Sequence, residues 1–153
     1  MLELENRLKI RGKLEIILYG PDGGVKDREV IKNTICAVGD AHVANKMSDA
    51  GEVAMSHMAI GTGSGGGASS TALVSELSRV ALTSKTQGSG DNDNDVLYVG
   101  TWGAGVGTGA ITEAGIFNDP TVGTILAYQS FAVKNKGALD SLVINWTITF
   151  GAS

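Results

Sequence analysis

This 153-residue chain is poor in the residues that usually make reactive or metal-binding sites. It has one cysteine, Cys36, so no intrachain disulfide can form and no thiolate pair is available for a zinc site. Its only imidazoles are His42 and His57. Aromatic residues make up 5% of the chain and prolines number two. Charged residues reach 18%, below the roughly 25% of an average soluble domain. No apolar run approaches the ~20 residues of a membrane-spanning helix. The start, Met1-Leu2-Glu3-Leu4-Glu5, is acidic and lacks the basic segment that opens a secretory signal, so synthesis in a cytoplasm is expected. A net charge of −4 sets the chain as a whole against binding nucleic acid.

What the chain has is glycine, 22 residues of it, placed between short apolar runs. From Leu8 the apolar residues alternate (Leu8, Ile10, Leu14, Ile16, Leu18), the pattern of a strand with one buried face. Gly12 interrupts it and suggests a bulge. Tyr19-Gly20-Pro21-Asp22-Gly23-Gly24 is a turn, and Val25 to Ile31 reads as the returning strand of a hairpin. Asn33 to Met47 takes up a helical period, weakened by Gly39. A strand is expected over Val53 to Gly61 and a flexible linker over Thr62 to Ser70. Leu73 and Leu77, four apart behind Thr71, predict a short helix over Thr71 to Arg79. Strands follow at Val80–Thr86, Val96–Trp102, Gly109–Phe117, Thr124–Val133 and Leu142–Phe150, with a polar acidic loop from Gln87 to Asp95. About eight closely spaced strands without a βαβ rhythm predict an all-β fold, a jelly-roll-like two-sheet β-sandwich with one or two short helical insertions. Residues 1–7 read as an N-terminal arm and 8–153 as the sandwich domain.

One charge stands inside a strand expected to be buried: Glu113, in Gly109-Ala110-Ile111-Thr112-Glu113-Ala114-Gly115-Ile116-Phe117. A buried carboxylate must be compensated. The cations expected to do so are Arg79 and Lys134, in a structural ion pair that fixes strand register.

Other motifs fall short of chemistry. Gly61-Thr62-Gly63-Ser64-Gly65-Gly66-Gly67 is followed by Ala68-Ser69-Ser70, without the lysine a phosphate loop needs. Ser56 and His57, with Glu113 or Asp140, supply the residue types of a hydrolytic triad, but no serine sits in a Gly-x-Ser-x-Gly elbow. Asp91, Asp93 and Asp95 alternate as oxygen ligands for calcium would, yet the EF-hand glycine and glutamate are missing. Trp102, Trp146 and Tyr128 could offer a sugar-stacking face, although Trp146 falls on the apolar stripe of the last strand. Arg7, Lys9, Arg11 and Lys13 all fall on the solvent side of the first strand and suit an acidic partner surface. No aromatic residue is interleaved among them, which argues against nucleic acid. The chain is expected to be no enzyme and to need no cofactor or metal.

Taken in order, Met58-Ala59-Ile60-Gly61-Thr62-Gly63, Thr71 to Arg79, Ile111 to Phe117, Lys134 and Leu142 to Phe150 form a pattern. Over residues 30–150 the chain thereby resembles virion structural proteins of tailed bacteriophages, of the capsid cement (decoration) or fibre type. The resemblance implies a non-catalytic role. With no heptad or β-repeat of a fibre shaft, the expectation is a cement protein on the capsid surface, made in the host cytoplasm. Its expected partners are the major capsid protein and itself, as a dimer or trimer, with neither nucleic acid nor membrane. Arg7, Lys9, Arg11 and Lys13 are the candidate capsid contacts. The alternatives are a tail-fibre or head-fibre module, or a carbohydrate- or calcium-binding sandwich.

Overall fold

The computed structural model describes residues 9–151. Both the expected arm, residues 1–7, and Arg7 lie outside the described residues. Strand β1 (Ile10–Tyr19) turns through Gly20–Gly24 into β2 (Val25–Lys32). A short β3 (Thr34–Ile35) and helix α1 (Ala37–Met47) follow. Then come β4 (His57–Gly61), β5 (Glu76–Ala81), β6 (Ser84–Gln87), β7 (Asp95–Trp102), β8 (Gly109–Phe117), β9 (Ile125–Lys136) and β10 (Ser141–Phe150).

The strands form two antiparallel five-stranded sheets, ordered β2-β1-β10-β7-β6 and β3-β9-β8-β4-β5. This is the expected all-β two-sheet sandwich with a single α-helix among the described residues. Its spine is β10, which pairs over ten residues with β1 and over eight with β7. Strict alternation in β10 sends Leu142, Ile144, Trp146 and Ile148 inward, each fully or almost fully buried. They meet Leu14, Ile16 and Trp102 from their own sheet and Met58, Ile60 and Ile116 from the other. Each such side chain contributes roughly 1.5–3 kcal/mol on burial.

Four local expectations need correction. Gly12 stays in register with β10, opposite Ile148, and the irregularity of the β1–β2 pair comes at Leu18–Tyr19. The helix begins at Ala37, not Asn33, because Thr34 and Ile35 are drawn into pairing with β9. Gly39, a weak helix former, is there because a side chain would run into the backbone of Leu126. No helix forms over residues 71–79: Leu73 is buried against the second sheet, Leu77 is exposed, and Glu76–Ala81 pairs with β4. Tertiary pairing overrides the i, i+4 signal there. The strand expected over 80–86 is two short ones, β5 and β6, which belong to different sheets.

Candidate functional site

A second, smaller apolar cluster lies on the far side of the second sheet: Cys36, Ala59, Leu73, Phe117, Ile125 and Tyr128. Its cover is the segment 62–75, which leaves β4 and re-enters as β5. The neck of this strap is closed by Thr62 N–H donating to Ser75 O at 2.9 Å. Its middle is tied to the start of α1, where Ala37 N–H donates to Ala68 O at 2.7 Å.

Glu113 holds the strap down. The pairing of β8 with β9 slips between Ile111 and Glu113, and at this bulge both Thr112 and Glu113 bond to the strap. Thr112 Oγ1 donates to Gly63 O at 2.7 Å. Oε2 of Glu113 accepts from the amides of Gly63 at 3.1 Å and Ser75 at 2.7 Å. Oε1 accepts from the Val74 amide at 2.9 Å and the Tyr128 hydroxyl at 2.8 Å. Four donors meet the acceptor positions of one carboxylate that is fully buried.

The expected ion pair therefore does not form. Arg79 instead bridges Glu76 at 2.7 Å and the carbonyls of Asp119 and Val122, with its guanidinium 3.7 Å over the Phe117 ring. Lys134 reaches the other sheet, to Glu29 at 2.8 Å and Asp27 at 3.3 Å. A nest of backbone amides takes the place of a cation, because the glycine-rich strap can bring its N–H groups close. Gly66 packs so tightly on Tyr128 that an added Cβ would stand 2.5 Å from the ring. The strap is thus an anion nest occupied from within, not the flexible linker its composition suggests and not a cradle open to phosphate.

Burial shapes the titratable groups around it. It pushes the Tyr128 phenol up to about 12, with the hydrogen bond to Glu113 adding to the effect. It pushes the Cys36 thiol up to about 11, with Asp40 assisting. Lys136, which sequence reading passed over, is buried and donates to Gly103 O at 2.9 Å, and burial holds its pKa below the usual lysine range. The only signal for it was its place two residues after Lys134.

The remaining candidates are not brought together. Ser56 Oγ lies 2.8 Å from His57 Nδ1, but Glu113, four residues along the ladder from His57 and so about 13 Å away, has its oxygens occupied. Asp140 accepts from Lys26 and the Gly137 amide, each at 2.8 Å, and these bonds hold its pKa low. His42 is buried with Nδ1 3.5 Å from Glu52. Among the described residues, no group of three His, Cys, Asp or Glu side chains could hold a metal ion. Trp102, Trp146 and Tyr128 are at most 1% exposed and form no platform for a sugar. Lys9, Arg11 and Lys13 are exposed at the start of β1. Among the described residues, no helix is long and apolar enough to cross a membrane.

A family model described as phage tail-collar fibre protein, N-terminal, matches residues 29–150. No curated protein and no solved structure gives a match. The matched stretch runs from within β2 to the end of β10 and includes the strap, Glu113 and Tyr128. It coincides closely with the stretch on which the resemblance to phage virion proteins rests.

Proposed function

This chain belongs to the phage tail-collar fibre protein N-terminal family, and from that footing we propose that it is a non-catalytic structural module of a tail fibre. The observation that carries the reading is the family match itself, which takes in nine of the ten strands in whole or in part. The chain is a phage virion structural protein, and the named family is one of fibres. The match supports the tail-fibre alternative better than the capsid cement function expected from sequence, and it gives no support to the major capsid protein as partner. The neighbours proposed instead are the components of the tail collar.

The use of buried charge supports a module built to hold shape. Glu113 fastens the strap, Lys134 joins the two sheets, and Lys136 and Arg79 each tie down a loop. Each of these groups has its partners within the fold, which leaves none poised for proton transfer in the way a general acid or base requires.

Quantitative mass spectrometry of purified particles tests the proposal. A fibre module is present in a small fixed number of copies per particle. A number matching the count of shell subunits would return the cement reading, and absence from the particle would overturn both.

A further inference from the structure

The outer face of the β2-β1-β10-β7-β6 sheet carries a shallow concavity of about 740 Å³. Strand register lays two rows of outward side chains across its floor. Lys32, Lys13, Thr147, Leu97 and Thr86 align over all five strands. Arg11, Thr149 and Asp95 align two residues nearer the loop between β6 and β7. At ordinary strand spacing the first row spans ~19 Å, so the recess suits an elongated ligand lying across the strands.

The lining selects the chemistry of that ligand. Three of its side chains are cations, Arg11, Lys13 and Lys32, and one is a carboxylate, Asp95. The chain as a whole is at −4, so this is a locally positive recess on an acidic protein, and a recess concentrates such a field. Lys13 also acts on Glu15 beside it, whereas Lys32 faces no carboxylate partner among the described residues. The hydroxyls of Thr86, Thr147 and Thr149 and the Asp95 carboxylate likewise have no hydrogen-bond partner among the described residues. Hydroxyls and a carboxylate of this kind suit a ligand rich in hydroxyl groups. No aromatic side chain lines the concavity, which leaves a nucleobase without a stacking platform.

Asn33, which follows Lys32 and lines the same recess, points independently to a ligand. Its side-chain nitrogen and oxygen are both buried, and neither has a hydrogen-bond partner among the described residues. The carboxamide stands where a side chain on Gly12 would be, since an added Cβ there would collide with Asn33 Oδ1. The inward stripe of β1 is thus interrupted by a glycine to seat an amide that the fold leaves unsatisfied. A stranded buried amide carries its full desolvation penalty, whereas an apolar side chain of similar shape would not. A donor and an acceptor kept at that cost in the wall of a recess are explained by a molecule that enters it.

We propose that this concavity binds an acidic saccharide. Lys32 and Lys13 meet its anionic group in charge-assisted hydrogen bonds. Thr147, Thr149 and Asp95 take up its ring hydroxyls, and the Asn33 carboxamide offers one donor face and one acceptor face to a neighbouring pair of them. The inference does not rest on the place of the chain in a particle. A chain absent from virions would sink the fibre reading and leave this one standing.

Isothermal titration calorimetry on the full chain tests it, with four probes of matched length: an oligogalacturonate, a sulfated glucan, a neutral glucan and a single-stranded oligodeoxynucleotide. At least one of the two acidic saccharides is expected to bind, and to weaken as salt rises. The galacturonate and sulfated arms then tell a carboxylate ligand from a sulfate one. Lys32→Glu is expected to lower the affinity about tenfold or more, and Thr147→Val about threefold. Asn33→Leu is expected to melt no lower than wild type while its affinity falls about tenfold, a combination that a merely structural amide would not give. Binding of neither acidic saccharide, equal binding of the neutral glucan, or tighter binding of the oligonucleotide would each overturn the inference. So would unchanged affinity in folded Lys32→Glu or Asn33→Leu protein, or an Asn33→Leu protein that melts well below wild type.

Discussion

The hydroxyl of Tyr128 on β9 donates a 2.8 Å hydrogen bond to Oε1 of Glu113 on β8, with both side chains buried beneath a strap of fourteen residues whose amides complete the carboxylate's shell. The two residues act as post and latch. Tyr128 supplies the floor on which Gly66 rests, and Glu113 receives the N–H groups at both ends of the strap.

Glu113→Gln keeps the shape of the side chain but turns an amide nitrogen toward donors that then lack an acceptor. Hydrogen bonds to charged groups contribute about 1.5–3 kcal/mol each, and stranded donors cost about as much, so a loss of about 2–4 kcal/mol is expected. Tyr128→Phe removes one donor of four and should cost about 1–2 kcal/mol. The two changes should be non-additive by about 1 kcal/mol in a double-mutant cycle, measured from urea midpoints at constant m. In the Gln variant a thiol reagent should also reach Cys36 faster, since the strap residue Gly67 covers it. A Gln variant within ~0.5 kcal/mol of wild type would mean that the strap holds without its latch.

Neighbouring glycines of the strap should behave differently. An alanine Cβ at Gly66 would meet the Tyr128 ring, whereas one at Gly67 would meet nothing within 4 Å. Gly66→Ala is expected to destabilise by about 1–3 kcal/mol through overpacking. Gly67→Ala should be neutral, or stabilising by up to ~0.5 kcal/mol through the unfolded chain. A flexible linker would tolerate both alike, so equal thermal midpoints for the two variants would remove the packed strap.

The raised pKa of Tyr128 sets an alkaline limit. A tyrosine titrates near 10 when unfolded and at about 12 here. The neutral phenol is the form the fold favours, so its contribution is fully present below about 10 and is lost as pH rises from there toward about 12. Wild type should therefore lose stability more steeply than Tyr128→Phe across that window. Parallel curves of stability against pH for the two proteins would contradict the buried, Glu113-bonded phenol.

Period-two patterns carried most of the fold. β1 and β10 could be read from their alternation because each has one wet and one buried face. Residues 71–81 could not, because Leu73 and Leu77 fit a helix locally and only pairing with β4 decides for a strand. The burial of Glu113 was legible, since a carboxylate in an apolar strand needs compensation. Its partners were not. Three of them are backbone amides, which every residue but proline carries, so no pattern in the sequence marks them. Arg79 and Lys134, expected to pair with Glu113, answer other carboxylates, Glu76 and Glu29. Lys9, Arg11 and Lys13 were visible as a solvent-side row at the start of the first hairpin, whereas the opposition of Lys13 to Lys32 needed the hairpin register.

A density map of the intact particle tests the central claim most directly. The account predicts that the ten-stranded sandwich, with its strap closed over the second sheet, fits density at the tail collar where a fibre begins. Density for it spread over the capsid shell, or nowhere in the particle, would contradict the account.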